Sequence, residues 1–134
     1  MSTKSKAKGT AAEREVVQYL QRWWPTAERR ALSGNKDKGD VTGISGIVVE
    51  IKAAERPLLA SWKAETLNEQ ANAGATACML VVKRKYKPVG TWDAYVPTES
   101  LGLLASHLRV GEEYTTWVRM DLALAAAVLK TNGY

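Results

Sequence analysis

The spacing of apolar residues along the chain predicts helices that alternate with short strands. Apolar side chains three and four positions apart are typical of a helix with one buried face, and they recur over residues 10–24, 58–73, 98–108 and 121–129. Short apolar runs bounded by turn residues are typical of strands, and they occupy residues 29–32, 40–42, 46–53, 77–82, 92–96 and, as an edge strand, 114–118. This order predicts a central mixed β-sheet flanked by helices, which is an α/β fold.

The length of the chain, 134 residues, fits a single domain, and we expect residues 1–9 to form a flexible basic arm before it. The composition, 46% hydrophobic and 25% charged, excludes a disordered tail, a collagen-like fibre and a coiled coil. A lone cysteine, Cys78, cannot form an intrachain disulfide, so a reduced cytoplasmic protein is expected. The apolar runs are too short to span a membrane. The sequence also lacks a glycine-rich phosphate loop, so no nucleotide cofactor is expected.

Positive charge is concentrated in the first three quarters of the chain. Residues 1–97 hold 16 basic and 10 acidic side chains, a balance of +6, whereas residues 98–134 hold 3 basic and 4 acidic, a balance of −1. The basic residues cluster near the N-terminus, over residues 29–38 and over residues 83–87. This distribution favours a polyanionic partner such as a nucleic acid, although charge that only keeps a small domain soluble remains an alternative.

Two charged residues on one predicted strand provide the main chemical clue. Glu50 and Lys52 are two positions apart, so both side chains lie on one face of the strand, about 7 Å apart at Cα. A turn through residues 43–46 would bring Asp40 beside Glu50. Two carboxylates and a lysine at one sheet edge would suit Mg²⁺, which could activate a water and polarise a phosphodiester. A Glu-x-Lys triplet also occurs by chance, and a cross-strand ion pair is the structural alternative.

A third acid belongs to the first predicted helix. Glu13 shares the stripe of apolar residues that faces the protein body, whereas Glu15 points to the opposite side. Glu13 also stands three residues after Thr10, the spacing of a capping box, so it would serve either the helix terminus or the acidic site.

These segments together resemble the archaeal-type Holliday junction resolvases of the PD-(D/E)XK nuclease superfamily. The resemblance covers about residues 8–83 and rests on four motifs: Gly-Thr-Ala-Ala-Glu-Arg-Glu from residue 9, Arg-Arg-Ala-Leu-Ser-Gly from residue 29, Gly-Asp-Val from residue 39 and Val-Glu-Ile-Lys from residue 49. It implies a restriction-endonuclease-like core and a homodimeric, Mg²⁺-dependent endonuclease of DNA recombination and repair, with Mn²⁺ as a substitute for Mg²⁺. One departure is Gly39, which stands where the superfamily has proline.

The resemblance also implies roles for individual residues. Asp40, Glu50 and the Ile51 carbonyl would bind the metal, Glu13 would complete the acidic cluster, and Lys52 would serve the attacking water and the scissile phosphate. Asp37 is a rival for the position of Asp40, but no apolar strand follows it. Arg30 and Ser33 would contact phosphate, with Arg29 as the competing arginine. The residues expected to bind DNA are Lys8, Arg29, Arg30, Ser33, Lys36, Lys38, Lys83 and Lys85.

The resulting prediction is a structure-specific endonuclease that resolves four-way DNA junctions by metal-dependent phosphodiester hydrolysis. Two active sites related by the two-fold axis of a homodimer would suit the near-symmetry of such a junction. Two alternatives remain open at this point: a sequence-specific or nicking endonuclease that acts on duplex DNA, and a nucleic-acid-binding module that does not cleave.

Overall fold

The computed structural model describes residues 3–31, 37–102 and 116–134. Within these ranges the chain forms three α-helices, α1 (Thr3–Leu20), α2 (Leu59–Ala73) and α3 (Leu122–Thr131). Six strands accompany them: β1 (Glu28–Arg29), β2 (Val41–Thr42), β3 (Ile47–Lys52), β4 (Ala77–Val82), β5 (Asp93–Pro97) and β6 (Trp117–Asp121). Short 3₁₀ turns cover Val89–Thr91 and Thr98–Leu101. The expected mixed α/β architecture is therefore confirmed.

The main sheet has four strands in the order β3-β4-β5-β6. β3 and β4 are parallel and are joined by α2, whereas β4, β5 and β6 pair antiparallel. Every residue of β4 is buried, as the continuous apolar run of this strand predicts for a central strand covered on both faces. β1 and β2 form a separate two-stranded antiparallel sheet. Among the described strands β3 pairs on one side only, and its other edge faces the loop before β2.

The two faces of the sheet pack against different helices. Ile47, Val49 and Ile51 of β3 join the main hydrophobic core with buried residues of α1 and α3. On the opposite face, Trp62 of α2 packs with two residues of β4 in a second, smaller cluster. Successive residues of a strand alternate between its faces, so Val48, Glu50 and Lys52 lie on the face toward α2.

The first helix is longer than predicted. α1 begins at Thr3, so residues 3–9 are helical and our expectation of a flexible arm is wrong for them. Thr10 lies inside the helix rather than at its N-terminus, which removes the capping role considered for Glu13. The inward stripe itself is confirmed, because Val16 and Leu20 are completely buried and Glu15 is exposed.

The inward face of α2 also differs from the pattern of small residues in its sequence. The helical spacing of the small residues Ala60 and Ala64 predicts a face that lies close on the sheet. In the structure both are exposed, and Trp62, Thr66 and Glu69 are buried instead. Gly74 ends α2 as predicted, with a φ of 63° in the left-handed region. α2 thus presents a glutamate, rather than alanines, to the sheet.

Several expected features fall outside the described residues. Ser33 and Lys36 lie in residues 32–36, and the end of the predicted helix 98–108 and the start of the predicted strand 114–118 lie in residues 103–115. None of the helices in the described ranges has the length and apolar character needed to cross a membrane.

Candidate metal and catalytic site

Asp40 lies against the free edge of β3. Its backbone N–H donates to the Val49 carbonyl at 2.9 Å, and its side-chain Oδ2 accepts a hydrogen bond from the Ile51 N–H at 2.7 Å. Because the N–H and C=O groups of one strand residue point to the same side, the Ile51 carbonyl also points to the edge that Asp40 occupies. The loop before β2 is therefore anchored with its carboxylate at the expected position, and the Ile51 carbonyl is directed toward it.

Gly39 has a backbone conformation that proline cannot adopt. Its φ is +93°, whereas a proline ring holds φ near −65°. A Cβ at this position would lie 2.9 Å from Val48 Cγ1 and 3.0 Å from the Val49 carbonyl oxygen. The loop of this protein thus reaches β3 by a path that only glycine follows without strain.

Glu50 and Lys52 lie on the expected face of β3, but Glu50 is much more deeply buried. Only 3% of Glu50 is exposed, and its Oε2 has no hydrogen-bond donor among the described residues. The Asp40 carboxyl lies within hydrogen-bonding reach of both Glu50 and Glu13. The three predicted acids therefore converge in the structure, in an unbroken row from α1 around the edge of β3.

Glu13 is held by an arginine rather than by a helix terminus. Arg29 Nη2 donates to Glu13 Oε2 at 3.0 Å. This ion pair ties α1 to β1 at the border of the acidic row. Arg29, one of the residues expected to bind DNA, is thus engaged with the acidic site.

Two glutamates of α2 belong to the same acidic region and were missed by the sequence reasoning. Oxygen atoms of Asp37, Glu50, Glu65 and Glu69 all lie within 4.8 Å of one another. Asp37, which we considered only as an alternative to Asp40, therefore contributes a carboxylate of its own to the acidic region. The sequence feature that could have identified them is their spacing: Glu65 and Glu69 are four residues apart and share one helical face with Trp62.

Burial raises the pKa values of the central carboxyls. The pKa of Asp40 rises to about 8, through burial first and then through its contact with Glu50. The pKa of Glu50 also rises to about 8, because burial and the neighbouring Glu69 outweigh the favourable contact with Asp40. For Glu69, burial together with the nearby charges of Asp37 and Glu65 raises the pKa to about 7. Burial and Asp40 raise the pKa of Glu13 as well, against the opposing effect of Arg29.

Lys52 supplies positive charge to this region. Its Nζ lies 3.1 Å from Glu65 Oε2 and 3.2 Å from Glu65 Oε1. Burial by itself would lower the pKa of the Lys52 amine, but the negative charges of Glu50, Glu65 and Asp40 outweigh this effect and raise it. The amine is consequently a cation that can orient a water or offset charge on a phosphate, rather than a base.

The other expected DNA-binding residues that the structure describes are Lys8, Arg30, Lys38, Lys83 and Lys85. Lys8 Nζ and Lys85 Nζ approach Glu55 at 3.8 and 4.0 Å, and the Lys83 N–H donates to the Lys52 carbonyl at 2.9 Å. Lys38 is exposed two residues before Asp40. The Arg30 N–H donates to the Asp40 carbonyl, and the Arg30 side chain buries an Nε that has no partner among the described residues. Arg30 and Lys83 thus contact Asp40 and Lys52 through their backbones, whereas the side chains of Lys8 and Lys85 approach Glu55.

The donor set suits a hard divalent cation. Carboxylate oxygens are the ligands that Mg²⁺, Mn²⁺ and Ca²⁺ prefer, and a buried carboxylate without a hydrogen-bond donor gains most from such an ion. Comparisons with known proteins identify no relative: the chain matches no protein-family model, no curated protein and no solved structure. The assignment of function therefore depends on this geometry and on the resemblance of the short motifs.

Proposed function

We propose that this protein is a metal-dependent endonuclease with a PD-(D/E)XK core that resolves branched DNA. The observation that carries the proposal is the convergence of Asp40, Glu50 and Lys52, ten and two residues apart in sequence, at the edge of β3. A helix that supplies an inward acid precedes this edge, and a helix and a buried parallel strand follow it. This order is the one that the resemblance to the resolvases implies.

Each residue of the site has a definite task in this proposal. Asp40, Glu50 and the Ile51 carbonyl would hold the Mg²⁺, which activates a water and polarises the scissile phosphodiester when it is bound. Lys52 stabilises the negative charge that develops on the phosphate and orients the attacking water. Glu13 extends the acidic site toward α1, where Arg29 limits the repulsion between Glu13 and Asp40.

The substrate is proposed to be DNA with a four-way branch, bound by a homodimer. Lys8, Lys83 and Lys85 would contact backbone phosphates on one side of the site, and Lys38 and Arg30 on the loop side. Contacts of this kind position a duplex without reading its sequence, so the geometry of the branch would determine where the strands are cut. Two copies related by a two-fold axis would place one site on each of two opposed strands.

Cleavage assays with three DNAs test the proposal. The purified protein is incubated with Mg²⁺ and a four-way junction, a linear duplex of the same sequence, or a single strand. Paired nicks in the junction are the expected result. Cutting at limited sites in the duplex would instead identify a sequence-specific or nicking enzyme, and tight binding without cleavage under any divalent metal would identify a binding module.

Glu50→Gln tests whether cleavage depends on Glu50 as a metal ligand. It keeps the shape of the side chain but removes a metal ligand, so cleavage should be lost while junction binding in EDTA stays within about threefold of wild type. Glu15→Gln, at an exposed position of α1, is the control and should cleave normally. Wild-type turnover by Glu50→Gln would refute the assignment of this site.

A further inference from the structure

A second group of carboxylates lies on the α2 side of Glu50, away from Glu13 and Asp40. It combines two glutamates of α2, Glu65 and Glu69, with Glu50 of β3 and Asp37 of the loop before β2. The group thus draws ligands from three separate segments. Asp37 is held in place by its own contacts, since its Oδ1 accepts the Gly39 N–H at 2.9 Å and its carbonyl accepts the Asn72 side chain at 3.0 Å.

The burial of Glu69 indicates that this group binds a ligand. Only 1% of Glu69 is exposed, yet neither of its carboxylate oxygens receives a hydrogen bond from an N–H or hydroxyl donor in the described ranges, and the group within hydrogen-bonding reach of Glu69 is another acid, Glu50. Glu50 Oε2 is in the same condition. A buried carboxylate without a donor is costly, and a leucine at position 69 would pack there without this cost. Two such side chains that face each other between α2 and β3 call for a positive charge between them.

The nearby lysine does not supply enough of that charge. Among the ion pairs of the described residues, the one that reaches this group joins Lys52 to Glu65. One ammonium therefore faces four carboxyl groups, and the two buried ones have no ion pair with it to offset their ionisation. A divalent cation would supply the missing charge and would also occupy the lone pairs that lack donors.

The spacing of the oxygens matches the size of such a cation. Mg²⁺ binds oxygen at about 2.1 Å and Ca²⁺ at about 2.4 Å, so ligands on opposite sides of these ions are about 4.2 and 4.8 Å apart. The four oxygens lie within 4.8 Å of one another, inside the larger of these limits. Asp37 is exposed, so this ligand of the group is in contact with solvent.

We propose that Asp37, Glu50, Glu65 and Glu69 form a binding site for a second divalent cation. This site has only Glu50 in common with the site at Asp40, and its ion holds α2 against β3. This α2 site goes beyond the proposed nuclease activity, because it binds its ion whether or not the protein cleaves DNA. When the ion is bound, Glu65 divides its two oxygens between the ion and Lys52, and the contact of this glutamate with the lysine is weakened.

Counting bound Mn²⁺ in the absence of DNA tests the proposal. The full-length protein is stripped of metal and titrated with Mn²⁺, and electron paramagnetic resonance reports the free ion. Wild type is expected to bind two Mn²⁺ per chain. Glu69→Gln and Asp40→Asn should each bind one, because each variant removes a ligand of a different site, and Glu15→Gln should bind two. Glu65→Gln should also bind one, because Glu65 is a second ligand that only the α2 site uses.

Folding is checked for every variant by near-ultraviolet circular dichroism. The α2 site is refuted if folded Glu69→Gln binds as many ions as wild type with unchanged affinities, or if Glu69→Gln and Asp40→Asn both lose the same single ion. Failure of the nuclease proposal is distinguishable: two bound ions without cleavage of any DNA refute the nuclease alone, whereas junction cleavage by a protein that binds one ion refutes the α2 site alone.

Discussion

Replacing Glu69 by glutamine should stabilise the metal-free protein at alkaline pH. Glu69 is a buried carboxyl whose pKa is raised from 4.5 to about 7, chiefly by burial. A group whose pKa is raised in the folded state favours folding while it is protonated, and this contribution is lost as the pH rises through its folded pKa. Glutamine has nearly the same shape and stays neutral, and its amide can donate to Glu50.

The expected magnitude follows from the two pKa values. Because a tenfold change in an equilibrium constant corresponds to ~1.4 kcal/mol, ionising Glu69 at pH 8 costs the native state about 3 kcal/mol. At pH 5 the carboxyl is protonated in the native protein, and the same cost is below about 1 kcal/mol. The free energy of unfolding of Glu69→Gln should therefore exceed that of wild type by about 3 kcal/mol at pH 8 and by less than about 1 kcal/mol at pH 5.

Urea denaturation in EDTA, followed by circular dichroism at both pH values, measures this difference. With the slope usual for small proteins, the urea midpoint at pH 8 should rise by roughly 1–2 M. Glu15→Gln is the matched control, because Glu15 is exposed on α1 and its replacement should leave the midpoint unchanged at both pH values. An equal gain at pH 5 and pH 8, or no gain at pH 8, would show that the ionisation of Glu69 does not destabilise the fold.

Three further outcomes are expected. Arg30→Ala should weaken junction binding and reduce the slope of log K against log salt concentration by about 1, as gel-shift titrations at several salt concentrations would show; an unchanged slope would contradict a phosphate contact. Gly39→Ala should lower the free energy of unfolding by about 2 kcal/mol and weaken Mn²⁺ binding, because φ is +93° and the new Cβ would crowd Val48; wild-type values of both would contradict the strain. Burial raises the pKa of the Cys78 thiol to about 12, so a disulfide reagent at pH 8 should label it only after unfolding, and rapid labelling of the native protein would disprove its burial.

Local patterns predicted most of the secondary structure. The parallel strands β3 and β4 and the end of α2 at Gly74 follow from apolar runs and turn residues, which act over a few neighbours along the chain. The N-terminal boundary of α1 was missed because the basic residues before Gly9 offer no apolar stripe, although lysine and alanine are good helix formers. Hydrophobic periodicity identifies a helix by its buried face, so it does not detect a helical segment that buries few side chains.

The candidate site was predicted in part. Asp40, Glu50 and Lys52 were found because the turn before β3 and the two-residue spacing on β3 bring them together locally, although β2 pairs with β1 and forms no hairpin with β3. The burial of Glu69 was missed, since the small residues of α2 suggested a different inward face. That face depends on how α2 packs over β3 and β4, where Trp62 fills the space that the alanines would have left open.

What the sequence by itself determined is the order of elements and the local chemistry of β3, because both depend on residues that are close along the chain. Only the tertiary structure decided that acids from the loop before β2, from β3 and from α2 meet around Glu50, since the contacts of Asp37, Glu50, Glu65 and Glu69 join segments whose residues are 13 to 32 positions apart. It also decided the depth of burial, and with it the raised pKa values of Asp40, Glu50 and Glu69. Desolvation is a property of the packed molecule, and no spacing along the chain encodes it directly.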